Sequence, residues 1–530
     1  MSDDVPDADD VPDVDDVPDV DVGSEVQRGA LVNALGAAGK LAAPAFLVVV
    51  TRLYGTDVFG VFVTASALVE MGIAFLTAGF KDAALIYVSR HADDPEDRDP
   101  LYQALANAFG WSLFFAGVLI ALALGVGPLV LPRLYDYGAR LVFMVRWMAL
   151  ALPLLAFARV VVATTQGLKI MKYGALINGG LRPVALLVFA CGAYPIMPSV
   201  VGLTVAYVAT QATVAATAAF VFRRELAWTP LWQAARSFRT DWEIIRFALP
   251  QNLNVMLDRF ITNIDVLMLG AFGVSAQMVG FYGAGALVVR ELRNIKLIFS
   301  GAFAPHIVRF HEAGRLRELA RRLATTLRWT ATLAVPVLLA VAVLRSDLLA
   351  LVSAEYAGRA AFFMLLLLPI PYLECSLGLA GNAVIVTGHS HLNLTNNVVS
   401  GTINFLLNLW LIPRFGLPGG AAASALAQGL KAVMEVTEMR WVVGVPLLPR
   451  LFYKPHLAGA LAAGALLAVS LAYVAPASGS LGYRIALLAG ALLVYGGLLT
   501  LLQGRLPRMP AVLRDDAPVP TEGDSKEKAG

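Results

Sequence analysis

The sequence is dominated by apolar stretches of about 18 to 24 residues, separated by short polar connections. An α-helix rises about 1.5 Å per residue, so each stretch is long enough to cross the hydrocarbon core of a bilayer. The chain is 58% hydrophobic and only 15% charged, whereas soluble proteins carry about a quarter charged residues. One soluble core of this size is excluded, because cores stop growing at about 250 to 300 residues. We therefore predict an all-α integral membrane protein.

About fourteen transmembrane helices are predicted, arranged as two pseudo-symmetric six-helix lobes followed by two further helices. The predicted spans lie near residues 29–51, 58–80, 102–125, 141–162, 174–192, 198–222, 244–269, 280–301, 326–345, 359–381, 394–413, 419–438, 455–475 and 483–503. In this organisation a disordered acidic tail at 1–28 precedes a first lobe at 29–222 and a cytoplasmic linker at 223–243. A second lobe at 244–440, the last two spans at 441–503 and a cytoplasmic tail at 504–530 follow.

An internal similarity supports the two lobes. The segment LYGTDVFGVFVTASALV at 53–69 resembles AFGVSAQMVGFYGAGALV at 271–288 when Gly60 is aligned with Gly280. Each segment is a glycine-bearing turn that opens a helix. The offset of about 220 residues is what duplication of a six-helix unit would produce, and substrates of such transporters are handled at the interface between repeats.

Charge divides the chain into an acidic tail and a basic body. Residues 1–28 hold 11 acidic residues and one arginine, which leaves 40 basic and 27 acidic residues elsewhere. The tail repeats a proline-containing acidic hexad, and like charges with prolines favour disorder. Basic residues are concentrated in the connections around 223–246 and 305–328, and the positive-inside rule therefore places both termini in the cytoplasm of an inner-membrane protein.

Three ordered stretches resemble the polysaccharide-transporter branch of the multidrug/oligosaccharidyl-lipid/polysaccharide (MOP) superfamily, the Wzx-type flippases. They are TRLYGTDVFGVF at 51–62, FALPQNLNVMLDRFITNIDVLMLGAFGVSAQMVGFYGAGALV at 247–288 and VTGHSHLNLTNNVVSGTINFLLNLWLIPRFGLPGGAAASALA at 386–427. The likeness runs through most of residues 29–440. It implies a bilobed fourteen-helix fold, alternating access, and a cargo made of an oligosaccharide on a polyprenyl phosphate or pyrophosphate carrier, used in cell-surface polysaccharide biosynthesis.

Charged residues inside predicted spans are the candidate site residues, because each is costly in hydrocarbon. Five basic residues are assigned to substrate binding: Arg146, Arg182, Arg290, Arg293 and Lys296. The last three recur every three residues and form a cationic strip on one helix. Guanidinium groups bind phosphate bidentately, so the strip suits an anionic diphosphate. A structural network with Glu70 is the alternative. Arg159 is a further candidate, but its place near a helix end favours snorkelling to the interface.

A second set of residues is assigned to ion coupling or to structural ion pairs: Lys40, Glu70, Asp258, Arg259, Asp265 and Glu374. Asp258 and Asp265 lie seven residues apart on one helix face, where they could bind H+ or Na+ or pair with Lys40. Glu374 follows the proline pair Pro369 and Pro371, which predicts a kink, a hinge or a cation site. The asparagines between 393 and 408 are expected to hydrogen-bond between helices.

The predicted function is therefore a flippase rather than an enzyme. Neither a phosphate-binding loop nor a catalytic triad is visible in the sequence, and we expect no metal site, no cofactor beyond a coupling H+ or Na+, and no nucleic-acid partner. The expected partners are the lipid-linked glycan, membrane lipids and other polysaccharide-assembly proteins. The alternatives are a drug/cation antiporter of the same superfamily, whose cavity would be lined by carboxylates and aromatic residues, and its peptidoglycan-precursor flippase.

Overall fold

A computed structural model describes residues 39, 42–91, 99–293, 295–296, 300, 303, 307, 309–353, 361–445, 449–472 and 481–503. Within these ranges the regular structure is helical and contains no β-strand. The acidic tail, the C-terminal tail and Lys40 lie outside the described residues, so the predictions made for them are not addressed by the structure.

The first half of the chain contains nine helices among its described residues. They are α1 (Ala42–Tyr54), α2 (Thr56–His91), α3 (Asp99–Gly125), α4 (Gly127–Leu134), α5 (Gly138–Leu150), α6 (Leu152–Gly167), α7 (Lys172–Ala193), α8 (Val200–Glu225) and α9 (Trp228–Arg236). Helix α7 contains a π-helical segment at Ala175–Leu181. Helix α9 belongs to the predicted cytoplasmic linker and packs against α3.

The second half contains nine further helices among its described residues. They are α10 (Trp242–Ala271), α11 (Ala276–Leu292), α12 (Leu316–Val352), α13 (Ala361–Leu367), α14 (Pro369–Val386), α15 (Ser390–Phe415), α16 (Leu417–Trp441), α17 (Pro449–Ala472) and α18 (Leu481–Gln503). The break between α13 and α14 at Leu368 falls directly before the predicted proline pair, as expected because proline removes a helical hydrogen bond.

Local sequence explains where several of these helices begin. The side chains of Ser199, Asp241 and Ser275 accept hydrogen bonds from backbone amides in the first turns of α8, α10 and α11, which satisfies donors that a helix start leaves free. Gly55 and Gly273 adopt φ values of +87° and +76° in the turns before α2 and α11, a conformation that glycine adopts without strain.

Several of the described helices are long and apolar enough to span a membrane. In the described part of the chain, eight pass this test, or nine if the bent pair Gly138–Leu150 and Leu152–Gly167 is one span. Every predicted span overlaps a helix, and the all-helical membrane fold is confirmed. The total of fourteen spans and the division into lobes stay predictions. Helix α10 fails the test although it is 30 residues long, because polar and charged residues interrupt it.

The two glycines aligned in the internal repeat pack against each other. A Cβ atom on Gly60 of α2 would lie 1.7 Å from the carbonyl oxygen of Ala276 and 3.0 Å from the amide nitrogen of Gly280. Only glycine permits this approach of the backbones of α2 and α11. Residues equivalent by internal symmetry touch each other only near the symmetry axis, so this contact is what a two-fold arrangement of the halves would produce.

A cationic cavity as candidate functional site

A cavity of about 850 Å3 lies between helices from both halves of the chain. Its wall is built by α1, α2, α6, α7 and α8 on one side and by α10, α11, α13, α14, α15 and α16 on the other. Close backbone contacts of α2 bracket it. Gly60 meets α11 at one end, and at the other a Cβ atom on Gly79 would lie 2.1 Å from the carbonyl oxygen of Ala248 on α10. Backbone contacts with the second half of the chain therefore lie near both ends of the stretch of α2 that lines the cavity.

The charge lining the cavity is predominantly positive. The basic residues in its wall are Lys81, Arg159, Arg182, Arg259, Arg290 and Arg293, and the acidic residues are Glu70, Asp265 and Glu291. In a site shielded from bulk water such an excess acts more strongly than on a protein surface. The cavity therefore favours an anionic ligand.

Four arginines from four helices form the centre of this charge: Arg159 on α6, Arg182 on α7, Arg259 on α10 and Arg290 on α11. Arg159 experiences repulsion from Arg182 and Arg259, and the carboxylate of Glu70 attracts both Arg159 and Arg290. Among the described residues none of the four forms an ion pair within 4.0 Å. Glu70 and Glu291 thus partly balance four guanidinium groups, which we call the arginine cluster.

The π-helical segment of α7 ends directly before Arg182. Segments of this type are rare and are found frequently at functional sites, since the extra residue per turn rotates the helix that follows. Gly179 and Gly180 allow a close approach to residue 39, where a Cβ atom would lie 2.4 Å from the Cα atom of Gly180. Arg182 follows this segment in the cavity wall, where its guanidinium interacts electrostatically with Tyr207 of α8.

The predicted substrate residues divide into two groups. Arg182, Arg290 and Arg293 line the cavity, whereas Arg146 and Lys296 are not part of its wall. Arg146 on α5 instead donates a hydrogen bond of 3.4 Å to the carbonyl oxygen of Leu124. The expectation of one cavity-facing strip is too broad, because α11 ends at Leu292 and Lys296 lies beyond that helix. Lys296 consequently faces α14.

Glu374 of α14 forms the ion pairs that the sequence left as one alternative. Its Oε1 accepts from Nη2 of Arg293 and its Oε2 accepts from Nζ of Lys296, each at 2.8 Å. The exposed fractions of the three side chains are 33% for Arg293, 15% for Lys296 and 17% for Glu374. Gly378 makes room for the lysine, since a Cβ atom there would lie 2.7 Å from Nζ. Glu374 therefore neutralises two of the predicted cationic residues.

Replacing Glu374 with glutamine is expected to destabilise the folded protein by roughly 3 kcal/mol, because two largely buried cations lose their counter-charge. The thermal unfolding temperature of the purified protein in detergent measures this loss. Adding Lys296→Met to Glu374→Gln should restore part of the stability, since it removes one of the stranded charges. An unfolding temperature equal to that of the wild type in the single variant would contradict the structural role of this cluster.

Asp265 of α10 is the most deeply placed carboxylate of the cavity wall and is 5% exposed. Its carboxylate accepts hydrogen bonds of 2.8 Å from the hydroxyl of Tyr282 and from Nδ2 of Asn408, and a third from the hydroxyl of Ser424. Asn404 accepts a further bond from Asn408 at 2.9 Å. Four helices thus meet at this carboxylate, and the expectation that the asparagine series bonds between helices is confirmed for these two residues.

Asp258 does not share the environment of Asp265. It is exposed and is not part of the cavity wall, although it lies two turns earlier on α10. The shared helix face expected from their spacing therefore does not extend to a shared site, and the expected partner Lys40 lies outside the described residues. Within the described residues no group of three or more His, Cys, Asp or Glu side chains could hold a metal ion.

Arg159 is the cavity residue that sequence reasoning places wrongly. The sequence favours snorkelling to the interface for this residue, yet it lies in the cavity wall and its Nη1 donates a 3.4 Å hydrogen bond to Oγ1 of Thr77. Its position between apolar residues inside a predicted span is a signal of equal strength to that of Arg182. Residue spacing alone cannot show that the two arginines face each other across α6 and α7.

Comparison with solved structures gives the class of protein. The lipid II flippase MurJ in an inward closed conformation superposes with a TM-score of 0.70, at 10% sequence identity, over 90% of this chain and 99% of that chain. A multidrug resistance MATE family transporter of the MOP superfamily, in its inward-facing conformation, superposes with a TM-score of 0.60, at 15% identity, over 77% of this chain and 98% of that chain. At these identities the similarity defines the fold, which is that of the MOP membrane transporters.

The family model described as polysaccharide biosynthesis protein matches residues 26–311. The chain belongs to this family. It is also 27% identical over 175 residues to the "Probable flippase AglR" of Haloferax volcanii, a match that covers 33% of this chain and 37% of that relative. The chain is thus a multi-pass membrane protein of the polysaccharide biosynthesis family with the fold of the MOP transporters, and the resemblance found in its sequence is confirmed.

Proposed function

We propose that this protein translocates a polyprenyl phosphate- or pyrophosphate-linked oligosaccharide across the cytoplasmic membrane by alternating access, for cell-surface polysaccharide biosynthesis. The observation that carries the proposal is the arginine cluster, in which four guanidinium groups face one cavity without an ion pair among the described residues. Three of these four arginines are partly buried, and such charges inside a membrane-spanning protein are costly unless a ligand of opposite charge completes the site. A phosphate or diphosphate meets this requirement, because guanidinium groups bind its oxygens bidentately.

The cavity chemistry argues against a drug/cation antiporter. A cavity for organic cations needs carboxylates to neutralise the cargo, whereas here six basic residues face three acidic ones. The similarity to a MATE transporter is one of fold and carries no cargo with it. A peptidoglycan-precursor flippase is the closer alternative, because its cargo would present the same diphosphate chemistry to the arginine cluster.

The translocation step follows from the two contacts along α2. Helix α2 contacts α10 at Gly79 and α11 at Gly60, and opening one contact while the other persists would expose the cargo to one side at a time. The lipid tail would stay outside the cavity, between the helices. We propose that both termini lie in the cytoplasm and that the two halves of the chain are the lobes that move.

Reconstituted vesicles test this function. The full chain is incorporated into liposomes with a fluorescent polyprenyl diphosphate-linked oligosaccharide, and movement between leaflets is followed by quenching from outside. Efflux of an organic cation such as ethidium is measured in parallel. We expect movement of the lipid-linked sugar and no cation efflux. Cation efflux without lipid movement would favour the antiporter. The absence of both activities would refute the proposal.

We further propose that Asp265 couples transport to an H+ or Na+ gradient. Its carboxylate accepts from the side chains of Tyr282, Asn408 and Ser424, on α11, α15 and α16. Protonation or cation binding would change these three bonds together. Tyr282 also lies in the cavity wall, so a change at Asp265 reaches the cargo site directly.

Replacing Asp265 with asparagine should leave some lipid movement but abolish its response to an imposed H+ or Na+ gradient, because the amide side chain does not change charge. Flipping rates in vesicles with and without each gradient measure the response. Asp258→Asn is the matched control on the same helix and should respond as the wild type does. A gradient response that survives in Asp265→Asn would show that coupling resides elsewhere.

A further inference from the structure

Two polar side chains in the cavity wall have atoms without a hydrogen-bond partner. Oε1 of Gln211 on α8 and Oγ of Ser66 on α2 are both inaccessible and unpartnered in the described structure, and both residues line the cavity. Gln211 is only 1% exposed. A buried amide without a partner destabilises a protein by about 1–3 kcal/mol. Such a group in a cavity wall indicates a ligand that supplies the missing partner.

The two residues lie side by side because α2 and α8 run in the same direction. The earlier part of each helix contributes to one apolar cluster and the later part of each to another. The rings of Phe62 on α2 and Tyr207 on α8 are in edge contact, with centroids 6.4 Å apart. Ser66 and Gln211 follow these two residues by one helical turn each. Both residues therefore lie in the part of the cavity wall that is one helical turn beyond this aromatic pair.

The two residues share the cavity wall with the arginine cluster. Tyr207, one turn before Gln211, interacts electrostatically with the guanidinium of Arg182, and Arg182 and Gln211 both line the cavity, so a phosphate bound by Arg182 would lie on the same side of the cavity as the amide. Phosphate itself does not suit these two side chains, because the carbonyl oxygen of an amide needs a hydrogen-bond donor. A sugar hydroxyl both donates and accepts, and it matches an amide and a hydroxyl together.

We propose that Gln211 and Ser66 form a subsite for the sugar residue attached directly to the diphosphate. This inference rests on the proposed function and adds to it a contact to the glycan. The uncharged pair binds the first sugar through its hydroxyl groups, Phe62 and Tyr207 provide the apolar wall against which its ring packs, and the arginine cluster binds the diphosphate. The protein thereby distinguishes a loaded carrier from an empty one.

Binding measurements on the purified full chain test the subsite. The probes are geranylgeranyl diphosphate and the same diphosphate carrying one glucose, galactose or N-acetylglucosamine residue. In the wild type we expect at least one of the sugar-bearing probes to bind about tenfold more tightly than the sugar-free probe, as two hydrogen bonds would provide. In Gln211→Met this difference should fall to about twofold or less, and Ser66→Ala should reduce it in part.

Two control variants separate the possible outcomes. Gln233→Met changes an exposed glutamine on α9 and should keep the full difference, whereas Arg182→Gln should weaken all probes alike. The subsite would be overturned if the wild type bound the sugar-bearing and sugar-free probes equally tightly, or if Gln211→Met kept the full difference in affinity between them. Either result would leave the proposed function in place. If even the sugar-free probe fails to bind the wild type, the proposed function itself fails.

The unfolding temperature provides a second readout, because a ligand-binding role and a structural role of Gln211 predict opposite changes in it. Methionine has nearly the size of glutamine and has no unpartnered amide, so Gln211→Met should unfold at the same temperature as the wild type or higher. An unfolding temperature well below that of the wild type would show that the amide supports the fold, and would overturn its assignment to a ligand.

Discussion

Replacing Arg182 and Arg290 together with glutamine is expected to lower the flipping rate of a diphosphate-linked lipid by at least about 100-fold. Each guanidinium contributes a charge-assisted hydrogen bond to phosphate, worth about 1.5–3 kcal/mol, and two such losses correspond to a factor of about 100 or more in binding. The effect should be large because no described carboxylate forms an ion pair with either arginine. The vesicle assay measures it directly.

Lysine substitutions at the same two positions should retain part of the activity, because the charge is kept while bidentate binding is lost. Arg140→Gln is the matched control, since this arginine is exposed and pairs with Asp57 away from the cavity. A second comparison is Arg293→Gln, which should affect flipping less than Arg290→Gln because Glu374 already pairs with Arg293. A double variant of Arg182 and Arg290 with wild-type flipping would end the assignment of the arginine cluster to substrate.

The second large effect is expected from alanine substitution of Gly79 and Gly60, the glycines at which α2 contacts α10 and α11. In Gly79→Ala the new Cβ would lie 2.1 Å from a backbone oxygen of α10, and in Gly60→Ala it would lie 1.7 Å from a backbone oxygen of α11. Backbone atoms cannot move aside as a flexible side chain can. Each variant should therefore disfavour one contact by about 1–3 kcal/mol or more and shift the population towards the state in which that contact is open.

Thiol labelling from each side of the membrane measures this shift. A cysteine at position 178 in the cavity wall, with Cys191 and Cys375 replaced by serine, reports access of a membrane-impermeant reagent. We expect labelling to rise by about tenfold, from the cytoplasmic side in Gly79→Ala and from the opposite side in Gly60→Ala. Gly117→Ala, where no atom lies within 4 Å of the new Cβ, should label as the parent does. Increased labelling from the same side in both variants would contradict the arrangement with two separate contacts.

The order of residues along the chain is enough to establish the membrane-spanning helical fold, the family and the charge of the site. Long apolar stretches leave a bilayer-spanning helix as the available structure, since backbone polar groups must be satisfied within the segment. The internal repeat also aligns Gly60 with Gly280, the two residues at which α2 and α11 meet. Arg182 and Arg290 can be selected from the sequence because a charge within an apolar span is costly wherever that span packs.

Which of these charges act together depends on how the helices pack. Arg146 and Lys296 are indistinguishable from Arg290 in sequence, but one bonds a carbonyl oxygen of α3 and the other pairs with Glu374. Arg159 belongs to the cluster and Asp258 lies outside the site for the same reason. The direction of a side chain depends on the rotation of its helix and on the neighbour that the helix meets, and contacts between residues far apart in the chain leave no trace in local spacing.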